Sequence, residues 1–224
     1  EMEDKRRLNV LGITLLMIFL TLNFVVFSHG FQSIDTTLFY SINKLSLPSF
    51  DFVMVLLTGY GREGFWSVLI AILWIFGDEE KRKTAFTLVF LFALLAIIGY
   101  SLKSLEFRQR PFEALNGVRL LISKNNDSSF PSGHALIVSA GAAVTWLRMK
   151  RRWAIPIAVI SSLVAYSRIY VGVHFPLDVL SGSILGIAAA CLVMGQMKRL
   201  MVLYDNLYNF WKRLTSSYGK AQPH

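Results

Sequence analysis

Apolar residues recur in six stretches of this chain, separated by short polar segments. They run Val10 to Phe27, Phe65 to Phe76, Thr84 to Gly99, Ala135 to Leu147, Ala154 to Tyr166 and Val179 to Met197. A helix needs roughly 20 residues to cross about 30 Å of hydrocarbon; several of these runs reach that length only with their flanks. The pattern predicts an all-α fold, a six-transmembrane helical bundle. Between the first two runs, Ile34, Leu38, Phe39, Ile42 and Leu45 recur at helical spacing among polar residues, which predicts an additional amphipathic interfacial helix. Pro48-Ser49 then interrupts the chain. Phe52 to Leu57 reads either as the start of a long second crossing broken at Gly59-Tyr60-Gly61 or as a separate short helix. Residues 200–214 place Leu200, Leu203, Tyr204, Leu207, Tyr208, Trp211 and Leu214 on one helical face, with Lys212 and Arg213 beside it. This is expected to be a basic amphipathic tail along the inner membrane surface. No internal repeat breaks the chain, which is expected to be one integral-membrane domain, 1–199 as the bundle and 200–224 as the tail.

Composition agrees with a membrane protein: 54% of the residues are hydrophobic and only 17% are charged, a balance unlike that of a soluble domain. The first apolar stretch lacks a small-residue cleavage site and is expected to be a retained anchor. The net charge of +9 does not point to nucleic acid, because the basic residues flank apolar runs and form no single stripe. Anionic lipid headgroups are the expected partner. With six crossings, Lys5-Arg6-Arg7, Lys81-Arg82-Lys83, Arg148, Lys150-Arg151-Arg152 and Lys198-Arg199 share one side, which the positive-inside rule makes cytoplasmic. Cys191 is the single cysteine and reads as a small core residue.

Three polar clusters then fall together on the outer face. The first holds Lys103 and, seven residues on, Arg110 before Pro111. Proline disfavours helix at the preceding residue, so Arg110 can turn back toward the lysine, and its fork suits two phosphate oxygens. The second, Pro131-Ser132-Gly133-His134, opens the fourth run. Amides at a helix start form an anion site, and His134 beside them can donate a proton. The third runs from Ser167-Arg168 to His174 and Asp178. Four residues apart, His174 and Asp178 share a face if helical; the carboxylate then orients the imidazole as in a hydrolase triad. Charged groups inside a membrane protein are functional by default.

In this order and with these gaps, Lys-x6-Arg-Pro, Pro-Ser-Gly-His and Ser-Arg-x5-His-x3-Asp resemble the signature of the type 2 phosphatidic acid phosphatase superfamily, with every position filled. The resemblance implies removal of phosphate from a membrane lipid through a phosphohistidine, with no metal and no cofactor. By position, His174 would attack phosphorus, Asp178 would orient it and His134 would protonate the leaving group. Lys103, Arg110, Arg168, Ser132 and the Gly133 amide would hold the phosphoryl oxygens. The expected substrate is a phosphorylated lipid: polyprenyl diphosphate, phosphatidylglycerophosphate, phosphatidate or a phosphorylated glycolipid. Alternatives are a phosphoryl or headgroup transferase between lipids, or a non-catalytic lipid-phosphate binding or transport protein. The latter has no use for an oriented nucleophile. Vanadate-dependent haloperoxidases share the site pattern, but they are soluble, and the hydropathy excludes them.

Overall fold

A computed structural model of the chain describes residues 2–28, 30–45, 47–105 and 107–219, with the side chains of residues 211 and 213–219 outside the description. The described residues fold into helices α1 (Met2–Phe27), α2 (Gln32–Asn43), α3 (Pro48–Tyr60), α4 (Glu63–Ile75), α5 (Glu79–Leu105), α6 (Pro111–Ala114), α7 (Gly133–Arg148), α8 (Arg151–Tyr170), α9 (Pro176–Gly195) and α10 (Met197–Gly219). Four of them, α1, α5, α8 and α9, are long and apolar enough to cross a membrane. The 13 residues of α4 and 16 of α7 rise about 20 and 24 Å at 1.5 Å per residue, short of the roughly 30 Å of hydrocarbon.

Helix α9 is the centre of the bundle, with α1 against one side and α7 against the other. Small residues let the backbones approach, as is usual where helices pack in lipid. A side chain at Gly182 would strike the Ser132 carbonyl oxygen, and one at Gly186 would strike that of Leu136. On the other flank, a Cβ at Gly12 would lie 2.7 Å from Leu192. Cys191 is buried in this helix as a free thiol.

The stretch around Gly59-Tyr60-Gly61 resolves into two helices, α3 and α4, and not one long crossing. The break abuts α8: a Cβ at Gly61 would strike Val164 and the Leu57 carbonyl. A helix forms over this stretch as α2, and the side it turns to the bundle carries two polar residues with Phe39. Asp35, Phe39 and Asn43 point inward, while Ile34, Leu38 and Leu45 are exposed. Polar bonds decide this orientation. Asn43 donates from Nδ2 to the carbonyls of Arg119 (2.8 Å) and Tyr170 (2.9 Å), and Arg119 reaches back to Asp51 on α3 at 2.7 Å. Thus α2 and α3 brace the long loop between α6 and α7. That loop is held from behind by Phe130, which lies between Phe19 and Phe27 of α1 at 6.1 and 5.5 Å.

The tail is a separate helix, α10, after a break at Gln196. Leu200 and Tyr204 of its expected apolar face are buried, and Tyr204 packs on Phe86 of α5 at 5.3 Å. Leu203, Leu207 and Tyr208 are exposed, while the side chains of Trp211, Arg213 and Leu214 lie outside the described residues.

Candidate active site

The C-terminal ends of α5 and α8 and the starts of α7 and α9 converge, away from the basic starts of α5 and α8. Lys103 lies in the last turn of α5. Arg110 follows the end of α5 with extended backbone and Pro111 as the first residue of α6, as expected for a residue before proline. The two cations meet through a residue that sequence reasoning missed, Asp127. Its carboxylate accepts from Lys103 Nζ at 2.6 Å and from Arg110 Nη2 at 2.7 Å. Burial opposes the charge on Asp127, but hydrogen bonds and attraction from Lys103, with Arg110, outweigh it and hold the carboxyl at about 2. Arg110 also donates to the Val173 carbonyl at 2.8 Å.

Arg168 sits in the last turn of α8 and donates from Nη1 to Thr58 Oγ1 at 2.5 Å. Its Nε is buried and has no hydrogen-bond partner among the described residues; the same holds for Ser132 Oγ. Ser132 is the N-cap of α7 without a side-chain cap bond, and its amide donates to the Asp178 carbonyl at 3.0 Å. Two buried donors left unsatisfied are costly unless a ligand completes them. His134 lies 3.1 Å by Nε2 from the Thr58 carbonyl. A carbonyl only accepts, so Nε2 carries the proton and Nδ1 is left to exchange one.

His174 and Asp178 meet, though not on a shared helical face. His174 precedes α9, Phe175 is the N-cap, and Asp178 turns back so that its Oδ2 accepts the Phe175 amide at 2.8 Å. The helix start therefore fixes the carboxylate, and the same oxygen lies 3.5 Å from His174 Nδ1. Ser129 Oγ donates to Oδ2 as well and stands 3.4 Å from Nδ1. On the opposite edge, His174 Nε2 lies 3.4 Å from Arg110 Nη1. Burial, together with the charges of Arg110 and Arg168, outweighs Asp178 and lowers the imidazole to about 3. His174 is thus neutral at physiological pH, with Nδ1 toward the carboxylate and Nε2 toward the cations.

Two further residues escaped the sequence reading. Arg108 donates from Nη1 to Asp178 Oδ1 and from Nη2 to Asp35 Oδ2 at 2.6 Å, and its guanidinium lies 4.3 Å from the Phe175 ring centroid. Asp35 Oδ1 accepts the Leu177 amide at 2.9 Å. The signal for Arg108 was its place two residues before Arg110 in a stretch already singled out. Asp35 offered only an acidic residue on a short amphipathic helix.

Lys103, Arg110, Gly133, His134, Arg168 and His174 all line one cavity of about 520 Å³. It continues between α4 and α5 into an apolar arm formed by Trp66, Ile70, Phe92 and Leu95. Trp66 and Phe92 meet edge to face at 5.4 Å. Ser132, beside Gly133, is fully buried.

A family model described as the PAP2 superfamily matches residues 84–201, more than half of the chain. The chain belongs to this superfamily. The PAP2 relatives include an undecaprenyl-diphosphatase of Sulfolobus acidocaldarius, 42% identical over 176 residues that cover 77% of this chain and 84% of that protein. Among solved structures, the PAP2-type phosphatidylglycerolphosphate phosphatase of Bacillus subtilis superposes with a TM-score of 0.68 at 25% identity, covering 84% of this chain and 96% of the other. LpxE of Aquifex aeolicus gives 0.64 at 30% identity, covering 70% and 93%. All three clusters fall within the PAP2 match, whereas Asp35, with α2 and α3, lies before it.

Proposed function

We propose that this PAP2 protein hydrolyses a phosphomonoester or diphosphate on a membrane lipid through a phosphohistidine at His174. That it is an integral membrane protein and a phosphatase follows from its apolar helices and its phosphatase relatives. The observation that carries the finer reading is a neutral, buried imidazole with one nitrogen toward a carboxylate and the other toward a cation-lined cavity.

In the first step Nε2 forms a bond to phosphorus while the bond to the leaving oxygen breaks. Positive charge then grows on the imidazole, and Asp178, held by Phe175, Ser129 and Arg108, stabilises it. Lys103, Arg110 and Arg168 neutralise the equatorial oxygens, the main demand of phosphoryl transfer. Ser132 Oγ and Arg168 Nε gain partners at this moment. Asp127 yields its place on Lys103 and Arg110 to the phosphate, since the same donors serve both. Bound substrate brings its phosphate proton to His134 Nδ1, making an imidazolium; His134 passes that proton to the leaving oxygen, and the neutral ring that remains takes one from the water that cleaves the phosphohistidine. No metal takes part in these steps. The apolar arm between α4 and α5 receives the lipid chain.

In this reading α4 and α7 complete six crossings, α2 lies at the interface, and the basic ends of α5 and α8 face the cytoplasm, which puts the site on the outer face. The test is phosphate release by purified protein from polyprenyl diphosphate and phosphatidylglycerophosphate, with and without chelator, alongside trapping of labelled protein. Wild type is expected to turn over in EDTA and to carry acid-labile label; His174→Ala is expected to do neither. Label retained in His174→Ala would remove the nucleophile assignment, and turnover lost in EDTA and restored by Mg²⁺ would remove the metal-independent mechanism.

A further inference from the structure

The cavity has a charged head and an apolar arm, and one cation stands at their junction. Arg62 is the N-cap of α4. Glu63 takes its Nε at 3.0 Å and its Nη2. The remaining nitrogen, Nη1, faces Gly133: a Cβ built there would lie 3.7 Å from it. One edge of the fork is therefore held and the other looks onto the Ser132-Gly133 turn that opens α7.

Register along α4 and α5 gives the level of Arg62. These helices are joined by the short turn between Ile75 and Glu79 and run antiparallel. Trp66 meets Phe92. One turn from Trp66 is Arg62, and one turn from Phe92 toward the same end is Ala96. Lys103 lies seven residues beyond Ala96, about 10 Å along the axis. By backbone level Arg62 thus lies between the phosphate-holding cations and the Trp66–Phe92 pair, and its side chain, 35% exposed, reaches from there to Gly133 at the edge of the terminal-phosphate site. Arg62, Glu63, Ala96 and Lys103 all line this cavity.

We infer that Arg62 forms a second phosphate subsite, which selects lipid diphosphates over lipid monophosphates. The inference rests on the phosphatase reading above and adds the substrate class. In a diphosphate, the group next to the terminal phosphorus is itself charged, and placing it against apolar walls without a counter-ion is costly. A monophosphate puts an ester carbon at the same level and needs no cation there. As His174 Nε2 bonds to the terminal phosphorus, the bond to the bridging oxygen breaks and its electron pair leaves on the lipid monophosphate. A phosphate is a good leaving group, so this bond breaks ahead of proton transfer from His134 and negative charge develops beside Arg62 in the transition state. The guanidinium therefore interacts more strongly with the departing group than with bound substrate, which is what accelerates a reaction.

The test compares polyprenyl diphosphate with polyprenyl monophosphate of the same chain length, using full-length protein and measured phosphate release. Charge-assisted hydrogen bonds contribute about 1.5–3 kcal/mol. The ratio of kcat/KM for diphosphate over monophosphate is therefore expected to fall roughly 10- to 100-fold in Arg62→Gln, with Arg62→Lys recovering part of it. Inhibition gives a second measure: the ratio of inhibition constants for methylenediphosphonate over orthovanadate should rise in Arg62→Gln. Because both measures are ratios within one preparation, partial misfolding of a variant does not mimic the effect. Unchanged ratios overturn the subsite and leave the phosphatase reading intact. A wild-type protein that releases phosphate from neither polyprenyl lipid but does so from phosphatidylglycerophosphate overturns the subsite alone, and one that releases it from none of the three overturns both.

Discussion

Removing Arg108 strands two buried carboxylates at once. Asp178 is fully buried and Asp35 is 1% exposed, and Arg108 binds one with each terminal nitrogen while covering the Phe175 ring. Loss of one partner from a buried ion pair costs about 3–5 kcal/mol, so Arg108→Met is expected to lower thermal stability on the order of 10 °C. Lysine keeps the charge, but a single ammonium lacks the planar fork that spans both carboxylates; Arg108→Lys should recover only part of the loss. Catalysis should suffer separately. Without Arg108 one oxygen of Asp178 loses its partner, and a carboxylate free to turn no longer fixes the His174 tautomer. Loss of an orienting carboxylate in a serine hydrolase costs about 10⁴ in kcat. Here the carboxyl remains, so a fall of about 10- to 100-fold in kcat is expected, with KM little changed because the cavity cations are intact. The assay pairs phosphate release with survival of detergent-solubilised protein on size exclusion after heating. The double variant Asp35→Asn/Arg108→Met separates the two effects: it removes one stranded charge and should regain stability but not kcat. An Arg108→Met protein within about 0.5 kcal/mol of wild type, the range of ordinary surface changes, would refute the reasoning.

Other outcomes follow from the same geometry. His174 is held neutral down to about 3, so formation of the labelled intermediate in a single turnover should change less than about threefold between pH 7 and pH 4.5 at constant substrate ionisation. An imidazole titrating at its ordinary value near 6.5 would lose about a hundredfold over that range, and such a loss would count against the assigned environment. For stability the sign is the reverse of a salt-bridged histidine. The unfolded chain takes up the proton below about 6.5 and the native one does not, so stability contributed by this group should decline from there toward pH 3. Denaturation midpoints across that range, compared with His174→Gln, measure it. Gly182→Val should drive α7 from α9, because its side chain would meet the Ser132 carbonyl and lie 3.3 Å from the Leu136 amide. Turnover should drop by more than about tenfold with the protein still membrane-inserted; wild-type turnover would show that the close approach is dispensable.

Much of the candidate site was legible in the chain because its charged groups interrupt apolar runs. Lys103, Arg110, Arg168, His134 and His174 stand out as polar residues in apolar surroundings, and their membership of one cavity follows from helices that alternate direction. Even the His174–Asp178 pair was visible, though the reason differed: a capping turn at the start of α9 sets it, not a helical face. Periodicity also located the long helices, since burial against lipid leaves a continuous apolar run. It did not reveal that α2 turns Asp35 and Asn43 to the bundle, where their hydrogen bonds hold it. Nor could it reveal Arg108, Asp127 or Arg62 as parts of the site. Their partners lie 70 or 73, 24 or 17, and 71 residues away in sequence: Asp178 and Asp35 for Arg108, Lys103 and Arg110 for Asp127, Gly133 for Arg62. Local pattern reports which face of an element is apolar. Which charges meet across elements depends on the distance of helix approach, which Gly182, Gly186 and Gly61 permit and only the packed bundle decides.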